Sequence, residues 1–188
     1  MRVTFVTSFL DEELPPPHYR SIQMPRRLLP LVARHEPRGR FGHHLKSAIG
    51  ATIGMCLIGA LAIATHLPLL LAPFGATAVL LFGQPNSPLA QPINVVGGYI
   101  IAALVAVLIM IFAPGVWWLA AAAVGLVIGI MLVLRVTHPP AGAVPIVAYV
   151  STLAPWTMFS VISMGSICLV AYALVHHRLP PRQQYPRA

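Results

Sequence analysis

The chain has 188 residues, of which 57% are hydrophobic and only 9% are charged, and its formal net charge at pH 7 is +8. An ordinary soluble domain carries about 25% charged residues. The composition therefore excludes a soluble globular protein, and the high hydrophobic content excludes a disordered one.

The charged residues are confined to the two ends of the chain. Residues 1–46 hold eight of the 12 Lys/Arg residues and all four acidic residues, residues 178–188 hold three arginines, and residues 47–177 hold Arg135 alone. This distribution predicts a membrane domain between basic flanks that contact anionic lipid and not nucleic acid.

Three regions follow from this pattern. Residues 1–46 are predicted to be a basic cytoplasmic segment, partly flexible or interfacial, residues 47–175 a transmembrane domain, and residues 176–188 a basic cytoplasmic tail. The transmembrane domain contains six apolar segments, at about 47–65, 67–83, 93–113, 116–134, 139–155 and 156–175. The second and fifth segments are short and interrupted by proline.

The two interrupted segments share a motif. Pro73-Phe74-Gly75-Ala76 and Pro140-Ala141-Gly142-Ala143 both have the form Pro-x-Gly-Ala, and each lies between two long segments. The pattern predicts an all-α polytopic membrane bundle built from two inverted three-segment repeats, each containing a broken Pro/Gly half-helix. Interrupted segments at matching places in two halves are typical of transporter binding sites.

The Lys/Arg distribution indicates the topology. If all six segments cross, every Lys and Arg lies on the cytoplasmic side, whereas four crossings with two re-entrant segments would place Arg135 outside. We therefore expect six crossings in the inner (plasma) membrane, with both termini cytoplasmic.

The Pro-x-Gly-Ala motifs favour an anion site. A proline is tolerated in the first turn of a helix, and small residues after it leave backbone N–H groups accessible at the positive end of the helix dipole. The alternative is that these prolines only kink ordinary helices. The candidate anion-binding residues are Phe74, Gly75, Ala76, Thr77, Arg135, Thr137, His138, Ala141, Gly142 and Ala143.

The distribution of charged residues also favours an anionic substrate, independently of the Pro-x-Gly-Ala motifs. Residues 47–177 contain no Asp or Glu, whereas cation and proton carriers usually place a carboxylate in the membrane. Arg135 would then partner the anion, although it would equally serve as a positive-inside anchor of the fourth segment. The loop at 83–92 offers either a polar vestibule or a rigid connector. Its vestibule residues would be Gln84, Asn86, Ser87, Gln91 and Asn94.

Four stretches together resemble the HPP family of integral membrane proteins. They are Ala72-Pro73-Phe74-Gly75-Ala76, residues 85–94 with their Ser-Pro-Leu-Ala-Gln-Pro core, Gly97-Gly98, and residues 137–143 with the His-Pro-Pro triplet. The resemblance implies several membrane spans and, through plant plastid and cyanobacterial members, an association with nitrite transport.

These observations predict a transporter or channel for a small inorganic anion, which is held between the opposed N-termini of the two half-helices. Nitrite is the leading candidate from the resemblance. The alternative is a structural or assembly protein of the membrane without transport activity. We expect no enzyme, because the sequence has no HExxH or GxSxG motif and no carboxylate in the membrane. We expect no catalytic residues, metal or cofactor, and as partners membrane lipids and the anion.

Several glycine and aromatic residues are expected to lie at helix contacts or at the membrane surface. Gly50-x3-Gly54 and Gly125-x3-Gly129 either pack helices within the chain or join copies in a homo-oligomer. Gly165 lies outside a Pro-x-Gly-Ala motif and is expected to tolerate alanine. The predicted aromatic belt consists of Tyr99, Trp117, Trp118, Trp156 and Tyr172.

Overall fold

Four long apolar helices dominate the computed structural model, which describes residues 40–187. The predictions for residues 1–39 lie outside this range. The four helices are α1 (Phe41–Thr65), α3 (Pro92–Phe112), α4 (Trp117–Leu134) and α6 (Pro155–His176). Each is long and apolar enough to cross a bilayer. The described part of the chain is all-helical, and it is a multi-pass membrane bundle.

Two short helices occupy the interrupted segments. The first short helix, Ala72–Gly83, consists of the seven-residue helix α2 (Ala72–Ala78) and a five-residue π-helical turn (Val79–Gly83). The second, Pro139–Val150, consists of a five-residue 3-10 helix (Pro139–Ala143) and the seven-residue helix α5 (Val144–Val150). The π-helical turn lies at the end of the first short helix, whereas the 3-10 helix lies at the start of the second. The two segments differ in local structure, and the inverted duplication stays a prediction.

Proline and the residues beside it determine where these helices begin. The first short helix starts at Ala72, because Pro68 and Pro73 cannot donate in a helical ladder and residues 67–71 remain non-helical. The second starts directly at Pro139, where a missing N–H is tolerated in the first turn. The helical part of the first interrupted segment is thus shorter than the predicted 67–83.

The first short helix runs antiparallel to α1. Leu70 lies beside Gly59, and the ring of Phe82 lies beside Gly50 and Gly54, so that a Cβ on either of these two glycines would approach the ring to 3.0 Å. Gly50-x3-Gly54 therefore packs helices within the chain, and the small residues permit close contact where lipid offers no hydrophobic driving force.

Helix α3 lies at the centre of the bundle. Its buried residues recur at helical spacing, and several are small, which lets α4, α6 and the second short helix pack closely around it. The buried residues are Val95, Gly98, Tyr99, Ala102, Ala103, Val105, Ala106 and Val107.

All six Lys/Arg residues in the range 40–187 lie at one end of the bundle, here called the basic end. The Nζ of Lys46 donates to the carbonyls of Leu179 and Pro181, both at 2.7 Å, which fixes the C-terminal tail to the start of α1. Asn94 donates to the carbonyl of Thr137 at 3.1 Å and brings the segment after Arg135 to the same end. The six residues are Arg40, Lys46, Arg135, Arg178, Arg182 and Arg187.

The opposite end contains the turns at 66–71, 113–116 and 151–154, none of which contains Lys or Arg. A cavity of about 210 Å³ lies between the second and third of these turns. The positive-inside rule predicts that the basic end faces the cytoplasm.

Cysteine labelling tests this orientation. In a background with Cys56 and Cys168 replaced by alanine, we expect a membrane-impermeant maleimide added outside intact cells to label Thr152→Cys, because Thr152 is exposed at the opposite end. Asn86→Cys, exposed at the basic end, should be labelled only after permeabilisation. Labelling of Asn86→Cys in intact cells would reverse the orientation.

Candidate functional site

The two short helices meet at a buried polar cluster of Thr77, Tyr99 and His138. All three side chains have no solvent exposure. The Oγ1 of Thr77 lies 2.8 Å from the Nε2 of His138 and 2.7 Å from the hydroxyl of Tyr99. The Nδ1 of His138 lies 2.9 Å from the carbonyl oxygen of Leu89. This cluster joins both short helices, α3 and the loop at 83–92.

The hydrogen-bond partners fix the tautomer of the neutral imidazole. A carbonyl oxygen can only accept, so the Nδ1 of His138 carries the hydrogen and donates to Leu89. The Nε2 then accepts from the Thr77 hydroxyl, and the Tyr99 hydroxyl donates to the same Thr77 oxygen. Every polar side-chain atom of the cluster is therefore satisfied away from water.

Glycine on α3 makes room for His138. A Cβ on Gly98 would lie 2.9 Å from the Cβ of His138 and 3.3 Å from the carbonyl oxygen of Val136. The neighbouring Gly97 leaves ordinary contact distance, 3.5 Å, to the Val136 side chain. Because Gly98 has no side chain, the backbone of residues 136–138 can approach α3 closely, and this approach sets the position of the His138 imidazole.

The structure divides the predicted anion-binding residues into three groups. Thr77 and His138 come together, and Phe74, Ala141 and Gly142 are also buried. Gly75, Thr137 and Ala143 are half-buried, whereas Ala76 and Arg135 are exposed. Gly75 and Ala76 share the outer face of the first short helix with the exposed Ala72 and Val79, and this chain does not enclose their backbone amides.

Arg135 ends α4 at the basic end. It adopts the left-handed conformation at the C-cap, with φ of 59°, and its side chain is exposed. It lies at the approach to the His138 segment and outside the buried cluster. The structure therefore separates this charge from the predicted binding residues Thr77 and His138.

The loop at 83–92 is pinned by hydrogen bonds. The amide Nε2 of Gln91 donates to the carbonyls of Pro85 and Ser87, both at 3.0 Å, and the Ser87 hydroxyl accepts from the Leu89 N–H at 3.3 Å. Gln84 and Asn86 are exposed, and Asn94 is occupied with Thr137. These bonds favour the rigid connector over the open vestibule.

The C-terminal tail covers this connector. The backbone N–H of Arg187 donates to the Oε1 of Gln91 at 2.8 Å, and the hydroxyl of Tyr185 donates to the carbonyl of Ala90 at 2.9 Å. The Nε2 of His177 donates to the carbonyl of Leu81 at 2.8 Å. Burial lowers the pKa of His177 and raises that of Tyr185, so both are uncharged at neutral pH.

The expected position of Tyr99 in an aromatic belt is wrong, because its side chain is wholly buried in the cluster. Trp117, Trp118 and Trp156 are exposed at helix starts, where belt residues lie. The signal that places Tyr99 inside is its helical spacing from the small residues Gly98, Ala102, Ala103 and Ala106, which mark the packed face of α3.

The two Gly-x3-Gly motifs differ in their surroundings. Gly125 and Gly129 are exposed and have open space where a Cβ would stand, in contrast to the packed Gly50-x3-Gly54.

Among residues 40–187, no group of three His, Cys, Asp or Glu side chains is placed to hold a metal ion.

Comparison with known proteins gives one family. The family model of the HPP transmembrane region matches residues 36–186. Two transmembrane proteins of Dictyostelium discoideum are similar: one is 35% identical over 62% of this chain and 40% of its own length, and the other is 31% identical over 66% and 47%. The chain thus spans less than half the length of these relatives. No solved structure matches.

Alanine substitution at two adjacent glycines tests how His138 is positioned. Gly98→Ala should lower the free energy of unfolding by about 1–3 kcal/mol, because the added Cβ overlaps His138. Gly97→Ala, whose Cβ meets Val136 at 3.5 Å, is the matched control and should be close to neutral. Thermal unfolding in detergent measures both, and equal effects would contradict this placement of His138.

Gly165 gives a second test, because the structure contradicts the expectation that it tolerates alanine. Gly165 is buried on α6, and an added Cβ would overlap the ring of Phe74. We expect Gly165→Ala to destabilise the protein, and Phe74→Leu in the same chain to restore part of the loss by removing the ring. A Gly165→Ala protein with wild-type thermal stability would show that Phe74 moves away at no cost.

Proposed function

This chain belongs to the HPP family of membrane proteins, and we propose that it is a transporter or channel for a small inorganic anion, with nitrite as the leading candidate. In this proposal the basic end is cytoplasmic in the inner (plasma) membrane, and the two three-segment halves are inverted repeats. The anion passes between the two short helices.

The observation that carries the proposal is a buried cluster of hydroxyl and imidazole groups in a bundle without carboxylates. Residues 40–187 contain six Lys/Arg and no Asp or Glu. Polar side chains inside a membrane bundle are costly and are typical of solute pathways. An entering anion would take the hydroxyl hydrogens of Thr77 and Tyr99 from their present acceptors, His138 and Thr77. No carboxylate of this range repels it.

The second short helix supplies the proposed path. Ala141 and Gly142 are buried three and four residues after His138, in the first turn of that helix. A Cβ on Gly142 would stand 4.0 Å from Ile128, which leaves room beside the backbone. The six positive charges at the basic end attract anions to that mouth. Gly75 and Ala76 would contribute only if another copy or lipid covered the outer face of the first short helix.

A structural or assembly role is the second candidate. The cluster is fully enclosed and satisfied, as it would be if it only held the two short helices together. The curated relatives are described only as transmembrane proteins. This role predicts a folded protein that moves no anion.

Flux measurements distinguish the two roles. Purified protein in liposomes should take up nitrite above the rate of protein-free liposomes, with nitrate and bromide as comparison anions. Arg135→Ala should reduce the rate, because one of the charges at the mouth is lost. Absence of uptake of all three anions by correctly folded protein would favour the structural role.

A matched pair of substitutions locates the path. Gly142→Val should lower anion uptake at least about tenfold, which corresponds to ~1.4 kcal/mol in the barrier, because two methyl groups enter the space beside the second short helix. Gly125→Val is the control, since Gly125 faces open space on the outside of α4. Each variant is first checked for a single size-exclusion peak. Equal uptake by the two variants would place the path elsewhere.

A further inference from the structure

We infer that His138 is a proton-binding site and that the protein moves its anion together with a proton. This inference rests on the proposed function, because it assigns the coupling ion of the same site. It is carried by the hydrogen-bond geometry around Thr77, which accommodates both protonation states of the imidazole.

In the neutral state, the single hydroxyl hydrogen of Thr77 points to the Nε2 of His138, at a distance of 2.8 Å between the heavy atoms. The Nδ1 hydrogen remains on the carbonyl of Leu89 at 2.9 Å. The Tyr99 hydroxyl donates to the Thr77 oxygen at 2.7 Å. No polar hydrogen of these three side chains lacks an acceptor.

In the protonated state, the Nε2 carries a hydrogen and donates it to the Thr77 oxygen. The Thr77 hydroxyl then turns to a second acceptor, the carbonyl oxygen of Pro73, which lies 3.1 Å away. That carbonyl is available to a side chain because Thr77 is four residues after Pro73 in a helix, the spacing at which threonine hydroxyls bond back to the chain. The Tyr99 hydroxyl keeps its bond to the second lone pair of Thr77. A rotation of one hydroxyl thus satisfies both states.

Electrostatic attraction between the imidazolium and the anion couples proton binding to anion binding. The imidazole is wholly enclosed, and a buried positive charge without a counter-charge is costly. Tyr99 is the titratable side chain that faces it, with ring centroids 5.2 Å apart, and Thr77 and the carbonyl of Leu89 face it from the other elements without a charge. Arg135, just before it in the chain, is exposed and positive.

Since residues 40–187 contain no carboxylate, an entering anion is the counter-charge available to the imidazolium within this part of the chain. A proton on His138 favours the anion, and the anion favours the proton. One proton and one monovalent anion then cross together with no net charge. The only covalent change is the N–H bond at Nε2, which forms on one side of the membrane and breaks on the other.

The test uses the full chain in liposomes that contain a pH-sensitive dye, with nitrite added outside and potassium plus valinomycin clamping the membrane potential. An acidic exterior should accelerate nitrite uptake, by up to about tenfold for one pH unit because each anion needs one proton, and the lumen should acidify. Protein-free liposomes give the leak of nitrous acid, which is subtracted. The rate should not change with the clamped potential.

Two variants at Thr77 assign the effect to the cluster. Thr77→Ser keeps the hydroxyl and should retain the response to the pH gradient. Thr77→Val keeps the shape of the side chain but leaves the Nε2 without a partner in either state, so it should lose the response. Nitrogen NMR of labelled histidine gives a readout besides flux: the neutral His138 of the wild type should carry its hydrogen on Nδ1.

The outcomes are distinguishable. Nitrite uptake that ignores the pH gradient and does not acidify the lumen would overturn proton coupling and leave the proposed function intact. Absence of uptake under every gradient would overturn both. A folded Thr77→Val protein with the wild-type pH response, or a neutral His138 with its hydrogen on Nε2, would overturn the role assigned to the cluster.

Discussion

The imidazole of His138 is satisfied on both sides inside a membrane bundle, and the surrounding structure depends on that condition. Hydrocarbon offers no partner for a polar group, so each nitrogen needs one within the protein. Leu89 supplies an acceptor on one side and Thr77 a hydroxyl on the other. His138 therefore links the connector to the first short helix, and Tyr99 of α3 joins them through its hydrogen bond to Thr77.

Glycine serves opposite purposes in this bundle. Gly98 and Gly165 are places where the chain is closest to its neighbours, His138 and Phe74, and a methyl group there has no space. Gly75, Gly125 and Gly129 face outward with open space around them. Because lipid does not drive helices together, close packing at the first group contributes van der Waals contact, whereas the second group leaves faces for lipid or another copy.

The two ends of the bundle differ chemically. The tail and the pinned connector lie at the basic end, which concentrates the positive charges of the described chain. The opposite end has uncharged turns and a cavity of about 210 Å³. An anion entering between the short helices would thus meet attraction at one mouth and hydroxyl and imidazole groups at the centre, which is the arrangement that the proposed coupling needs.

The sequence by itself determined the membrane class, the four long helices, the places where proline interrupts the chain and the segregation of charge. These properties depend on composition and local conformational preference: apolar length, missing N–H groups and the count of Lys and Arg. The His-Pro-Pro and Pro-x-Gly-Ala motifs also pointed to Thr77 and His138, because few other polar residues occur in the interrupted segments.

Only the tertiary structure decided which of the marked residues meet. Thr77 and His138 are far apart in the chain, and their contact depends on how the short helices pack against α3. The same packing turns Gly75 and Ala76 outward, leaves Arg135 exposed, buries Tyr99 and presses Gly165 against Phe74. A residue's type fixes what it can bond to, but the angle at which one helix faces another fixes whether it does. That angle results from contacts distributed along the whole bundle, and no local motif contains it.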